Sequence, residues 1–216
     1  MAKPRSTFNP KTFLTTVGLG RRMLSFRKGE TIFAQGDAAD ALFVIQKGRA
    51  QVSVRSHGGK EATLDILSDG DFVGKCSIAG QHSRSTSATA MTECSLLRIE
   101  KKTMLQALAR QVKLANLFWG YVLARNLRYQ QDLADQRSIG SEKRLARILL
   151  GLAHTDGAHE SSIPHISHET LAEIVGTTRS RVCFFMKRFK DSGFIDYGHK
   201  SQLVQIHPTL FAFCEQ

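Results

Sequence analysis

The chain has 216 residues, 42% of them hydrophobic and 23% charged. That is the composition of a folded protein of one large or two modest domains, and it excludes a disordered, collagenous or disulfide-scaffold chain. Thirty lysines and arginines against 19 acidic residues give a net charge of +11, which points to a polyanionic partner, either nucleic acid or an anionic membrane.

Residues 1–9 carry Lys3 and Arg5, but no apolar segment follows, so no secretory signal is expected. The most apolar window, residues 114–124, is broken by Asn116 and is about half the roughly 20 residues a membrane-spanning helix needs. Cys76, Cys94, Cys183 and Cys214 form no C-x-x-C pair and no iron–sulfur or zinc spacing. A reduced, cytoplasmic protein without membrane attachment is the expectation.

From residue 23 to residue 99 glycines punctuate the chain: Gly29, Gly36, Gly48, Gly58, Gly59, Gly70, Gly74 and Gly80. Short β-rich runs lie between them. Leu42, Phe43, Val44 and Ile45 read as a strand buried on both faces. Residues 50–54 alternate apolar and polar, as a strand with one wet face does, and residues 62–67, 85–91 and 94–99 supply further strands. Many short strands with turn signals at this spacing predict a β-barrel or sandwich.

Residues 112–136 hold one glycine, Gly120, and no proline; a helix of this length spans roughly 37 Å. Its first half is apolar almost all round, with Leu114, Leu117, Phe118, Trp119, Tyr121, Val122 and Leu123. Such a helix must be covered on every side. One side can pack on the β-domain and the other needs a partner, most simply the same helix of a second copy, with Leu114, Leu117, Phe118 and Tyr121 as candidate residues. Gly140 lies inside a break at residues 138–141, with Ser141 expected to cap the next helix, whose Leu145, Ile148, Leu149 and Leu152 share one face. Residues 154–164 read as a polar loop.

The segment from Ile166 to Val182 then follows the logic of two helices joined by a tight turn. Ser167 is a candidate N-cap with Glu169 in the positive first turn, Leu171, Ile174 and Val175 make a core stripe, and Gly176 suits the turn. Thr177 or Thr178 caps the second helix. There Val182, Phe185, Met186 and Phe189 point inward, while Ser180, Phe184 and Lys187 centre the opposite face, flanked by Arg179, Arg181 and Arg188. A helix with one buried side and one unbroken polar side suits the DNA major groove. Arg179 or Arg181 is placed to clasp a guanine edge, and Lys187, Arg188 and Lys190 to meet phosphates. Phe184 either touches a thymine methyl or packs inward. Residues 194–197 and 203–206, around Gly198, His199 and Lys200, read as a β-hairpin wing.

Two groups of residues resemble a known family. Lys28, Gly29, Glu30, Gly36, Asp37, Phe43, Val44, Ile45, Gly48 and the run Gly70, Asp71, Phe72, Val73, Gly74 resemble the cyclic-nucleotide-binding β-roll, and residues 166–182 resemble the helix-turn-helix of the Crp/Fnr transcription regulators. The resemblance implies an α+β protein: a cyclic-nucleotide-binding-like β-roll (residues 1–110, jelly-roll-like), a long dimerisation helix (111–137) and a C-terminal winged helix-turn-helix (138–216). It implies a homodimeric, sequence-specific DNA-binding regulator, not an enzyme, partnered by double-stranded DNA with a palindrome-like site and by RNA polymerase. In the family an arginine and a short helix after the glycine turn hold the cyclic phosphate, which maps the effector site onto Gly74, Lys75, Arg84, Ser85 and Gln130.

The chain departs from that pattern at Lys75, where the family's glutamate would accept a ribose hydroxyl proton. A lysine offers only donors. Tyr129 and Gln130 stand where the cyclic-AMP activators place Thr-Ser. Cyclic AMP is disfavoured on both counts, and the effector stays open: an anion meeting Lys75 and Arg84, or none, which would make a constitutive DNA binder. A regulatory module of an enzyme is the reading from another class, but no nucleophile–base pair, paired carboxylates or metal cluster supports it. The first cysteine is Cys76, and His57 and His82 are lone histidines in turn-like contexts, so neither the iron–sulfur cluster nor the haem of some family members is expected. His154, His159, His165 and His168 fit no metal-ligand spacing and read as solvated. From Glu142 onward nine basic residues face eight acidic ones. The excess positive charge therefore lies upstream, and the local footprint of the second helix is five basic residues and no acid from Arg179 to Lys190.

Overall fold

The structure, a computed structural model, describes residues 9–55, 61–154, 162–197 and 203–215. His57, Gly58, Gly59, His159, Gly198, His199 and Lys200 lie outside these residues. Contacts divide the chain into two compact units, with the division inside the long helix between Leu127 and Arg128.

The first unit opens with α1 (Pro10–Thr15), capped by the Asn9 side chain on the backbone N–H of Lys11 and Thr12. Two four-stranded sheets follow. β1 (Arg21–Phe26), β8 (Cys94–Glu100), β3 (Ala41–Lys47) and β6 (Phe72–Val73) form one, in that order. β2 (Thr31–Phe33), β7 (Ser87–Ala90), β4 (Ala50–Arg55) and β5 (Glu61–Leu67) form the other. The apolar run of β3 serves two cores. Phe43 and Ile45 face the space between the sheets, with Phe33, Leu67, Val73 and Leu96. Leu42 and Val44 face the other way, onto Phe72, Leu97, Ile99, Met104, Leu114 and Phe118. Both faces are covered, and period-2 alternation is absent for that reason.

The second core is closed by α2 (Lys101–Arg110) and α3 (Val112–Ser138). Phe118 is 2% exposed, and its ring meets Phe72 edge-on at 5.2 Å between centroids. Tyr121 is half-buried beside it. Its hydroxyl donates to Asp71 Oδ1 at 3.0 Å and accepts from the Phe72 N–H at 3.2 Å. Burial, then the Asp71 carboxylate, makes the Tyr121 phenol harder to ionise. One turn on, Arg125 is buried and pairs with Asp65 at 3.0 Å. Leu114, Phe118 and Tyr121 thus face their own β-roll. Of the four residues expected at a dimer seam, Leu114 and Phe118 are buried on their own β-roll, Tyr121 is half-buried against it, and Leu117 is exposed. An all-round apolar helix does not reveal which stripe its own domain takes.

The second unit contains α4 (Ser141–His154), β9 (Ser162–Pro164), α5 (His168–Val175), α6 (Arg179–Asp191), β10 (Ile195–Asp196), β11 (Leu203–Ile206) and α7 (Thr209–Glu215). The sheet order β10-β11-β9 is antiparallel throughout. β9 falls where a loop was expected, because a strand this short carries no period. Ser141 is also corrected: it is the first helical residue, and the Gly140 carbonyl takes the first helical bond, from the Arg144 N–H at 3.1 Å. α7 packs Phe213 against Phe189 at 5.6 Å and Phe194 at 5.4 Å.

Candidate functional site

Each end of the α5–α6 turn is fixed by a side chain or a backbone need. Ser167 caps α5, its Oγ accepting from the Thr170 N–H at 3.0 Å. Gly176 ends it at φ 70°, a left-handed conformation that glycine adopts without steric cost, and its N–H donates back to Ala172 and Glu173 carbonyls. Thr178 caps α6 by accepting from the Arg181 N–H at 3.3 Å. An exposed cap hydrogen bond of this kind is worth about 1 kcal/mol.

Val182, Met186 and Phe189 are buried and Phe185 half-buried, so α6 is pinned along one stripe. The other side presents Arg179, Ser180, Arg181, Phe184, Lys187 and Arg188 to solvent, with Thr178 just before them. Phe184 is 61% exposed, resting edge-on against Phe185 at 5.9 Å. Of the two placements left open by the sequence, inward packing is therefore excluded. Two of the basic residues have partners. Arg188 reaches Glu142 on α4 at 3.2 Å, and Lys190 donates to the Tyr197 carbonyl at 2.7 Å while its ammonium sits over the Tyr197 ring at 4.6 Å. Lys190 braces α6 to the wing sheet. Arg179, Arg181 and Lys187 form the exposed basic face.

In the first unit a tight glycine turn follows β6. Gly74 sits at φ 71° and the 3₁₀ turn Lys75–Ala79 follows. A Cβ on Gly74 would fall 2.5 Å from Arg84 Nη1, so the glycine is required by both its conformation and that neighbour. Arg84 is 6% exposed. It donates to the Ala41 carbonyl at 2.6 Å and to the Gly74 carbonyl at 3.2 Å, and its guanidinium lies 4.3 Å from the centre of the Phe33 ring. Burial lowers its pKa, with Asp40 acting the other way. Gly74 and Arg84 are therefore in direct contact, and the arginine is held by its own chain. Ser85 is exposed next to it.

Lys75 has its pKa lowered, first by burial and then by Arg125, with Cys76, Asp65 and Asp71 acting the other way. The position thus looks onto one cation, Arg125, and two carboxylates, Asp65 and Asp71. The sequence did not flag that group, although Tyr121 and Arg125 one turn apart on α3 were its visible trace. Gln130 is exposed on the part of α3 that belongs to the second unit. Among the described residues no set of three or more His, Cys, Asp or Glu is arranged to hold a metal ion, and no described helix is long and apolar enough to cross a membrane.

Comparison with known proteins matches both regions. Residues 23–111 match the model of the cyclic nucleotide-binding domain, and residues 143–208 that of the Crp-like helix-turn-helix domain. The chain is 30% identical over 174 residues to the cyclic AMP receptor protein of Thermus thermophilus, covering 80% of this chain and 79% of that protein. It is 28% identical over 185 residues to a CRP-like cAMP-activated global transcriptional regulator of Mycobacterium tuberculosis, covering 84% and 83%. FixK2 from Bradyrhizobium japonicum shares its fold, with a TM-score of 0.77 over 89% of this chain and 96% of that one, at 15% identity. The Mycobacterium tuberculosis relative is a transcriptional regulator. An exposed basic recognition helix, a capped turn before it and a cyclic-nucleotide-type β-roll upstream place this chain in the Crp/Fnr family of DNA-binding transcription regulators.

Proposed function

We propose that the protein works as a cytoplasmic homodimer that reads a palindrome-like DNA site and acts on RNA polymerase, under the control of an anionic effector in the β-roll. The observation that carries the DNA-binding part is the α6 face: Arg179, Ser180, Arg181, Phe184 and Lys187 exposed together, over a stripe pinned by Val182, Met186 and Phe189. Arg179 or Arg181 supplies the bidentate guanine contact, Phe184 the apolar contact to a thymine methyl, and Lys187 a phosphate contact. Arg188, with Glu142 attached, is the weaker phosphate candidate.

Dimerisation rests on the stripe of α3 that its own unit leaves open, where Trp119, Leu123 and Leu127 are more than half exposed. A second α3 is the simplest cover for it. Velocity sedimentation at micromolar concentration tests this, with a dimer expected and a monomer contradicting it.

The effector reading follows from the cassette. Arg84 spends two of its donors on Ala41 and Gly74 carbonyls, and position 75 presents donors where a ribose hydroxyl needs an acceptor. This chemistry suits an anion that lacks a sugar diol better than cyclic AMP. Calorimetric titration with a panel of cyclic nucleotides, phosphate and small carboxylates tests it. Binding of a ribose-free anion supports the reading, and tight binding of cyclic AMP refutes it.

A further inference from the structure

The first turn of α4 holds both helices of the helix-turn-helix. Arg144 donates from Nε to the Val175 carbonyl, at the end of α5, at 3.0 Å and from Nη1 to the Ile139 carbonyl, just after α3, at 2.7 Å. Both acceptors lie at helix ends, where carbonyls lack partners within the helix. Leu145, the next residue of α4, is fully buried. The backbone that carries Glu142 is therefore braced. Glu142 Oε2 lies 3.2 Å from Nη1 of Arg188, on the flank of the exposed face of α6. Its other oxygen, Oε1, is buried and has no hydrogen-bond partner among the described residues.

We propose that Glu142 is a brake on sequence-independent DNA binding: its carboxylate occupies Arg188 and withholds one phosphate contact from α6. The inference rests on the DNA-binding reading and adds to it a positioning residue that acts on DNA affinity through Arg188.

The surroundings of the two side chains decide which partner yields. The Glu142 side chain is 21% exposed and that of Arg188 57%. The carboxylate sits on a braced turn at the positive end of α4, and the arginine is the long, solvated arm that has to leave. The fold gains little from the pair. Ion pairs with one partner this exposed stabilise weakly, and a buried carboxylate oxygen without a donor is a cost. DNA binding is affected twice. Arg188 reaches a phosphate only by giving up Glu142, and the carboxylate it leaves then faces the DNA backbone with its charge unpaired and repels it. Lys187, one residue earlier and exposed, carries the phosphate contact of this face instead. With one contact withheld, the protein leaves DNA of random sequence sooner.

The test is fluorescence anisotropy of the full-length protein with a labelled mixed-sequence duplex of about three helical turns, roughly 30 base pairs, across a salt series. Glu142→Gln keeps the shape of the side chain and removes its charge. It should bind up to roughly tenfold more tightly than the wild type at about 0.1 M salt, with a log–log salt slope steeper by about 0.9, the signature of one more phosphate. Arg188→Ala should leave the wild-type slope unchanged, and the Glu142→Gln, Arg188→Ala double variant should return to that slope. A tightening by Glu142→Gln that survives in the Arg188→Ala background is a general effect of charge and overturns the brake. So does Glu142→Gln binding with the affinity and slope of the wild type. Arg188→Ala lowering the slope by about 0.9 would put Arg188 on a phosphate already in the wild type, and overturns the brake whether or not the Glu142 variants fold. Absence of wild-type DNA binding at any salt concentration would instead overturn the reading on which the brake rests.

Discussion

The glycine turn at Gly74 and the glycine turn at Gly176 each precede a helical element, and each has a left-handed backbone. The side chains around them are engaged differently. After Gly176 the α6 side chains still point outward as an open basic face. After Gly74 the arginine is folded back onto Ala41, Gly74 and Phe33, and a lysine replaces an acceptor. A left-handed glycine turn therefore fixes the backbone alone, and the partners of the neighbouring side chains decide which donors remain for a ligand.

Five variants, in four steps of decreasing effect, break or sharpen this contrast. The largest effect is expected at the roll's second core. Phe118→Ala empties a site that is 2% exposed and should cost about 3–5 kcal/mol, seen as a lowered Tm by calorimetry. A cost below about 1 kcal/mol would mean that α3 is not anchored there. Next, Arg179→Ala combined with Arg181→Ala should weaken specific DNA binding roughly 100-fold or more, while Lys187→Ala should weaken all sequences alike and lower the salt slope by about 0.9.

Arg84→Ala comes third. It leaves the Ala41 carbonyl, on a residue with no exposed surface, without its partner, and should cost about 1–3 kcal/mol even with no ligand present. An unchanged Tm would make Arg84 a free ligand arm and remove the contrast. The smallest effect is expected at Lys75. Burial lowers its pKa in the folded state, so its charge opposes folding at neutral pH. Lys75→Met should therefore raise Tm modestly. The gain should be full below the lowered folded pKa and vanish as pH rises past the ordinary lysine value, where the wild-type side chain is neutral in both states.

Much of this was legible in the sequence. The β-roll showed in its glycine punctuation, the doubly buried β3 in its unbroken apolar run, and the helix-turn-helix in Ser167, Gly176 and Thr178, because caps and turns depend on neighbours in the chain. α1, α7 and β9 were not legible, being too short to carry a period. Nor was the side of α3 that the roll takes, since Leu114 and Trp119 are equally apolar and only the fold separates buried from exposed. The partners of Arg84, Arg188 and Lys190 were hidden for the same reason. The sequence supplies a cation, and the carbonyl or carboxylate that holds it comes from Ala41, Glu142 or Tyr197.

Selection of bound sequences from a random DNA pool tests the central claim most directly. Two α6 helices related by a two-fold axis should enrich an inverted repeat with half-sites about one helical turn, roughly 10 base pairs, apart. Enrichment of a single unrepeated motif, or of no motif, would contradict a dimeric reader built on α6.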